Sequence, residues 1–286
     1  MSAMAILVIT IAAAIHASWN AVARRAEDVV SFAWLSCLYA TVIFSPFAIY
    51  VFNQSASNID ASAYGALFIT VLCTCFGFLA ILLGYKIGDY SVMYPISRGT
   101  GPLIATVAAI LFLGERPSAA ALAGIAMIVA GVFIIGGGWT AIKSKHSLKP
   151  ILFGILTGAL IANTTVWAKH CISNHGIPFL LVDYAAVAGM FLLLTPYAIA
   201  KRESVINEWT KNKFSALIVA ICRSLAYLMV LFVLTGSQVY YVAPLREMSI
   251  LFATLIGARL LKEGQLRRRL AAALVLFGGL VSLSIN

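Results

Sequence analysis

Long apolar stretches, separated by short polar or basic pieces, follow one another along the whole chain. A helix needs about 20 such residues to cross the hydrocarbon of a bilayer. Ten stretches come near that length: 3–23, 30–52, 63–87, 91–113, 119–138, 151–172, 178–200, 214–236, 238–261 and 270–285. They predict an all-α polytopic membrane protein of ten transmembrane helices. The longest polar pieces are 139–150, with Lys143, Lys145 and Lys149, and 201–213. In the second piece Val205, Ile206 and Trp209 either lie along the membrane surface or simply end the preceding helix. The first stretch has no basic leader and carries His16, Trp19 and Asn20 near its far end, so it reads as a retained span rather than a signal peptide.

Composition narrows the class. Hydrophobic residues make up 62% of the 286 and charged residues 10%, against about 25% charged in soluble domains. Soluble enzymes, nucleic-acid binders and disordered tails are excluded together. The net charge of +10 sits mainly in the connections. Fifteen cations fall in connections 1–2, 3–4, 5–6, 7–8 and 9–10, and only Arg116 and Lys169 on the other side. Cytoplasmic loops carry such an excess, which predicts extracytoplasmic termini in the cell (inner) membrane. The five cysteines lie inside apolar stretches and read as packing residues. Cys73 and Cys75 lack companions for a zinc site, so no metal is expected.

A shift of 148 residues lays the chain on itself. Trp19 then meets Trp167, Gly88 meets Gly236, Arg98 meets Arg246, Glu115 meets Glu263 and Gly131 meets Gly279. The reading is a duplication: residues 1–138 as one five-helix repeat, 139–150 as a basic linker, 151–286 as the second repeat. Five spans is an odd number, so the second copy enters the membrane inverted. Inverted repeats are typical of secondary transporters, with the substrate site near the bilayer midplane between the copies, although channels use them too.

The run from Tyr94 through Pro95, Ile96, Ser97, Arg98, Gly99, Thr100, Gly101 and Pro102, continuing to Leu113, Gly114, Glu115, Arg116 and Pro117, resembles the fourth span of EamA domains. Val242 to Ser249, continuing to Leu261, Lys262 and Glu263, resembles it again, and His16, Ala17, Ser18, Trp19 and Asn20 resemble the first-span motif. The chain is thus similar to two tandem EamA domains of the drug/metabolite transporter superfamily. Its second copy departs at Asn163 to Trp167, which lacks the histidine. The resemblance implies a ten-helix carrier of small metabolites, often an exporter, driven by a gradient without ATP. No phosphate-binding loop motif is present, in agreement.

Candidate chemistry lies inside the spans. Pro95 with Gly99, Gly101 and Pro102, and Pro244 in the matching span, predict helix breaks at corresponding places. Such breaks mark either a transport site or a packing kink. Arg98, Arg223 and Arg246 each lie about eight or nine residues inside a span, where an arginine facing lipid costs roughly 2.5–3.5 kcal/mol. They are expected to face a cavity or a carboxylate. Asp183 and Glu247 are the only acids far inside spans, and Glu247, adjacent to Arg246 in sequence, points away from it. Two acids against three cations favour a substrate with an anionic group. Asp183 is either a proton-coupling group or the counter-charge to the arginines, with Glu247 and Arg223 in the same class.

His16 and Asn20 share one face of the first span, and His16 either titrates near neutral pH or is bonded in a helix interface. Tyr94, Trp167 and Tyr241 are candidate pocket walls beside Trp19, and Tyr240 reads as an interfacial aromatic. Glu115 and Glu263 read as caps of the helices that follow them. Small residues crowd spans five and ten, which suits close packing within a half or a homodimer face. The expected function is secondary transport of a small amphoteric or anionic metabolite such as an amino acid, with no cofactor and no catalytic activity. A channel is the alternative, and a lipid-modifying enzyme a more distant one because no metal box or Ser/His arrangement is present.

Overall fold

The computed structural model describes residues 2–55, 59–84, 90–135, 148–250, 252 and 266–284. Among the described residues there are ten helices of seven residues or more and no strand. They are α1 (Ala3–Ala23), α2 (Val29–Ser55), α3 (Ala61–Gly84), α4 (Tyr90–Leu113), α5 (Ala119–Ile135), α6 (Leu148–Asn174), α7 (Phe179–Ala200), α8 (Arg202–Gly236), α9 (Val239–Leu245) and α10 (Leu266–Ser284). Helix is what such apolar stretches must form, because lipid offers backbone amides no partner. Seven of the helices are long and apolar enough to cross a membrane.

The starts of four helices are set by short polar side chains that accept otherwise orphaned amides. Ser2 accepts from Ala5 N at 3.2 Å, Asp28 from Ser31 N at 2.7 Å, Asp60 from Ala63 N at 2.9 Å and Ser118 from Ala121 N at 3.1 Å. Asp60 is also hydrogen-bonded by the Ser62 hydroxyl. That bond first, and the Ala63 amide second, hold its carboxyl below the usual range.

The outside of the bundle is apolar. Phe112 is 79% exposed and Leu274 73%, an arrangement that suits hydrocarbon rather than water. The chain is a multi-pass membrane protein.

The helices pair across the two halves of the sequence. α1 packs on α8, α2 on α7 and α8, α4 on α6, and α5 on α10, while α3 lies against α6 and α7. Glycines permit the closest approaches. A Cβ on Gly124 would stand 2.8 Å from the Gly279 carbonyl oxygen, and one on Gly279 2.6 Å from that of Gly124. The small-residue faces of α5 and α10 are thus turned on each other inside one chain. A Cβ on Gly158 of α6 would likewise stand 2.8 Å from Ser97 O of α4.

Two expectations change here. Residues 202–213 do not end a helix: they begin α8, which runs unbroken for 35 residues. Hydropathy falls where a helix leaves the hydrocarbon, but the hydrogen-bond ladder needs no apolar side chain to continue. Nor is α4 broken at Pro95 or at its glycines; it runs continuously from Tyr90 to Leu113. Pro95 is its sixth residue, near the end where few amides have helical partners to lose, and Gly101 serves the approach to Gly158, whose carbonyl would lie 3.6 Å from an added Cβ. Only α9 breaks as expected. It ends at Leu245 just after Pro244, and a turn at Arg246 and Glu247 follows.

Candidate functional site

Tracing the buried arginines leads to one cavity. It encloses about 800 Å3, counting the space at its mouth, and is walled by α1, α3, α4, α6, α8 and the turn after α9. His16 and Trp19 enter from α1, Arg98 from α4, Arg223 from α8 and Arg246 from the turn. A smaller, narrow crevice shares Arg98, Thr165 and Arg246 with it and adds Glu247. Three cations therefore surround one space inside an apolar bundle.

Their partners differ. Arg98 is 4% exposed and held from two sides. One guanidinium nitrogen lies 3.0 Å from His16 Nε2 and another 3.6 Å from Glu247 Oε1. A guanidinium only donates, so His16 Nε2 accepts, and the imidazole is the neutral Nδ1–H tautomer. His16 is thus engaged in a helix interface. Arg246 donates to the Thr165 hydroxyl at 2.8 Å and lies 6.0 Å from the Tyr227 ring centroid. Arg223 stacks over Phe78 at 4.9 Å and lies within electrostatic reach of Asp183. Among the described residues, neither Arg223 nor Arg246 has a carboxylate within 4.0 Å.

Under the 148-residue shift Glu247 falls opposite Gly99 in the sequence. The breaking turn at Arg246 places Glu247 against Arg98, rather than against its own neighbour in sequence.

Other candidates stand apart from the cavity wall. Asn20 is buried and donates to His16 O at 2.7 Å. Trp167 donates to Ala66 O at 2.9 Å, tying α6 to α3. Tyr241 packs against Tyr240 with ring centroids 4.3 Å apart, and Tyr240, expected at a membrane interface, is 4% exposed. Asp183 is buried at 2% exposure, and among the described residues its Oδ1 has no hydrogen-bond partner. The side chains of Tyr94 and Pro95 and all of Glu263 lie outside the described residues.

Glu115 does cap a helix, but not the following one. Its two oxygens accept Val239 N at 2.7 Å and Tyr240 N at 3.1 Å, the start of α9. Lys169 beside it donates to Leu234 O and Ser237 O, closing the end of α8. At the opposite end Glu208, fully buried, accepts Glu27 N and Asp28 N, both at 2.6 Å, before α2.

Sequence reasoning missed Thr74, Phe78, Thr165 and Tyr227 on the cavity wall. Tyr227 had a signal: it lies one helical turn from Arg223, on the same face. Phe78 had none, since one phenylalanine in an apolar helix looks like any other.

No curated protein matches the chain. A solved structure named only "Crystal structure of protein" superposes with a TM-score of 0.75 over 99% of this chain and 96% of its own, at 14% identity, which shows a shared fold. Residues 3–137 match the EamA-like transporter family. That segment, which supplies His16, Trp19 and Arg98 to the cavity, is thus the part of the chain that is similar to the EamA-like transporter family.

Proposed function

We propose that the chain is a secondary carrier in the cytoplasmic (inner) membrane, working by alternating access and without ATP to export a small metabolite that bears an anionic group. Its organisation is ten spans in two inverted repeats, 1–138 and 151–286, joined by the basic linker 139–150. The observation that carries the substrate reading is the meeting of Arg98, Arg223 and Arg246 on one cavity. Desolvated guanidinium groups are costly unless an anion reaches them. The cross-half pairing of α1 with α8, α2 with α7 and α5 with α10 supports the repeat reading, because inverted copies bury a site between them. Both termini are outside in this reading, and the basic connections inside.

Thermal shift of the purified chain against amino acids, phosphonates, sugar phosphates and amines tests the substrate reading, since a ligand stabilises the state it binds. Counterflow in proteoliposomes tests the carrier reading. Anions are expected to raise the melting temperature, and preloaded substrate to drive uptake of label. Stabilisation by amines alone, or flux that never saturates, overturns the proposal. Reporter fusions at Asn286 are expected to report an extracytoplasmic end; a cytoplasmic signal would refute the orientation.

A further inference from the structure

Among the described residues, the wall of the larger cavity holds buried polar side chains without hydrogen-bond partners. Trp19 is 2% exposed and its indole N–H, which can only donate, has no partner. The hydroxyls of Thr74 and Tyr227 on the same wall are also buried without one. Buried polar groups are almost always paired, so each such group calls for an explanation. Here three of them share a wall with Arg223 and Arg246, which are without a carboxylate at ion-pair distance.

The two buried acids do not line the larger cavity: Glu247 turns Oε1 to Arg98 at 3.6 Å, and Asp183 lies within electrostatic reach of Arg223, although among the described residues Glu247 Oε2 and Asp183 Oδ1 have no hydrogen-bond partner. Among the described residues, the larger cavity has no carboxylate in its lining. An ammonium group entering it would find only hydroxyls and carbonyls, beside three guanidinium groups of its own sign. An oxyanion would find Arg246 within reach of Thr165, together with the idle donors. Phe78, Trp19 and Tyr227 supply ring faces for an apolar body.

We infer that the cavity selects organic oxyanions that carry no ammonium group, with Arg246 as the principal anion clamp, Arg223 as its second, and Trp19 and Tyr227 as added donors. This rests on the carrier reading and narrows it: zwitterionic amino acids are rejected in favour of their deaminated counterparts. Arg98 is set aside from the clamp because His16 and Glu247 already engage it. Specificity of this kind is a difference of affinities, produced as much by the lack of an ammonium partner as by the anion contacts.

The test is calorimetric titration of the full chain in nanodiscs with matched probes: phenylpropanoate against phenylalanine, methylpentanoate against leucine, and phenethylamine. Each acid is expected to bind at least about tenfold more tightly than its amino acid, as a site rejects a group it cannot pair, with no binding of the amine. Arg246→Gln is expected to abolish acid binding, Arg246→Lys to weaken it, and Tyr227→Phe to lower it with an unchanged melting temperature. Amino acids binding as tightly as the acids overturns the inference while leaving the carrier reading to the counterflow assay. Preference for the amine overturns both. No binding of any probe, or full acid binding by a folded Arg246→Gln chain, also overturns the inference.

Discussion

Two buried polar clusters differ in one respect. At the junction of α8 with the loop before α2, the main partners are made: Glu208 accepts two consecutive amides and the Asn212 side chain at 2.8 Å, and Asn212 also donates to Arg25 O at 3.3 Å. Tyr197 donates to Asp28, and Lys211 and Asn207 reach Glu27. In the cavity, Trp19, Thr74 and Tyr227 stay unmatched, and two arginines lack acids at ion-pair distance. The difference separates building from binding. A network that is complete in the protein alone holds the fold; in the proposed function, the unmatched groups of the cavity are met by the substrate.

The comparison breaks most visibly at Glu208. Glu208→Ala leaves two amides and Asn212 without their acceptor, at about 1–3 kcal/mol each. It is expected to lower unfolding stability by roughly 3–6 kcal/mol, measured by denaturant titration in mild detergent. Glu208→Gln, which keeps an acceptor oxygen, is expected to lose less than half as much. If alanine costs nothing, the junction is ornamental and the contrast fails.

Asp183 belongs to either side of the contrast, and Asp183→Asn decides which. A coupling acid is expected to lose gradient-driven accumulation while exchange persists in a folded chain. A structural counter-charge to Arg223 is expected to lose folded protein, by about 3–5 kcal/mol. A variant that is stable and transports with an unchanged pH profile excludes both.

Trp19→Phe sharpens the comparison from the cavity side. Its N–H has no partner to lose, so stability is expected to change by less than about 1 kcal/mol, while affinity for the acid probes falls. Equal losses of stability and affinity would move Trp19 into the building class.

The smallest effect belongs to Asp60, at the exposed start of α3. Bonds from Ser62 and Ala63 favour its charged form and depress its carboxyl. A depressed carboxyl adds stability above its unfolded value of about 4 and loses it as pH falls through the folded one. Asp60→Asn is therefore expected to flatten the acid limb of stability below about pH 4 and to leave neutral pH nearly unchanged. An effect confined to neutral pH would contradict the capping role.

Much of the site was legible because charge inside an apolar span stands out. Arg98, Arg223 and Arg246 stand out on that ground and line the same cavity, joined there by His16 and Trp19 of the first-span motif. The capping chemistry of Glu115 was legible too, but its partner was not, since Val239 is distant in sequence and only folding brings it near. That Glu247 faces Arg98 was not legible, because it depends on the turn after α9. Glu208 was invisible for the opposite reason: in a polar stretch one more acid carries no contrast.

The length of α8 has a mechanical consequence. Thirty-five residues of continuous helix make a rod of about 52 Å, against about 30 Å of hydrocarbon. Roughly 20 Å of it stands in water or headgroups, at the end where Glu208 grips the loop before α2. Arg223 sits about 22 Å farther along the same rod. A stiff shaft clamped at one end delivers rotation to the other without a hinge between them. Because no break interrupts the helix between Glu208 and Arg223, a tilt of the shaft at one end moves the other.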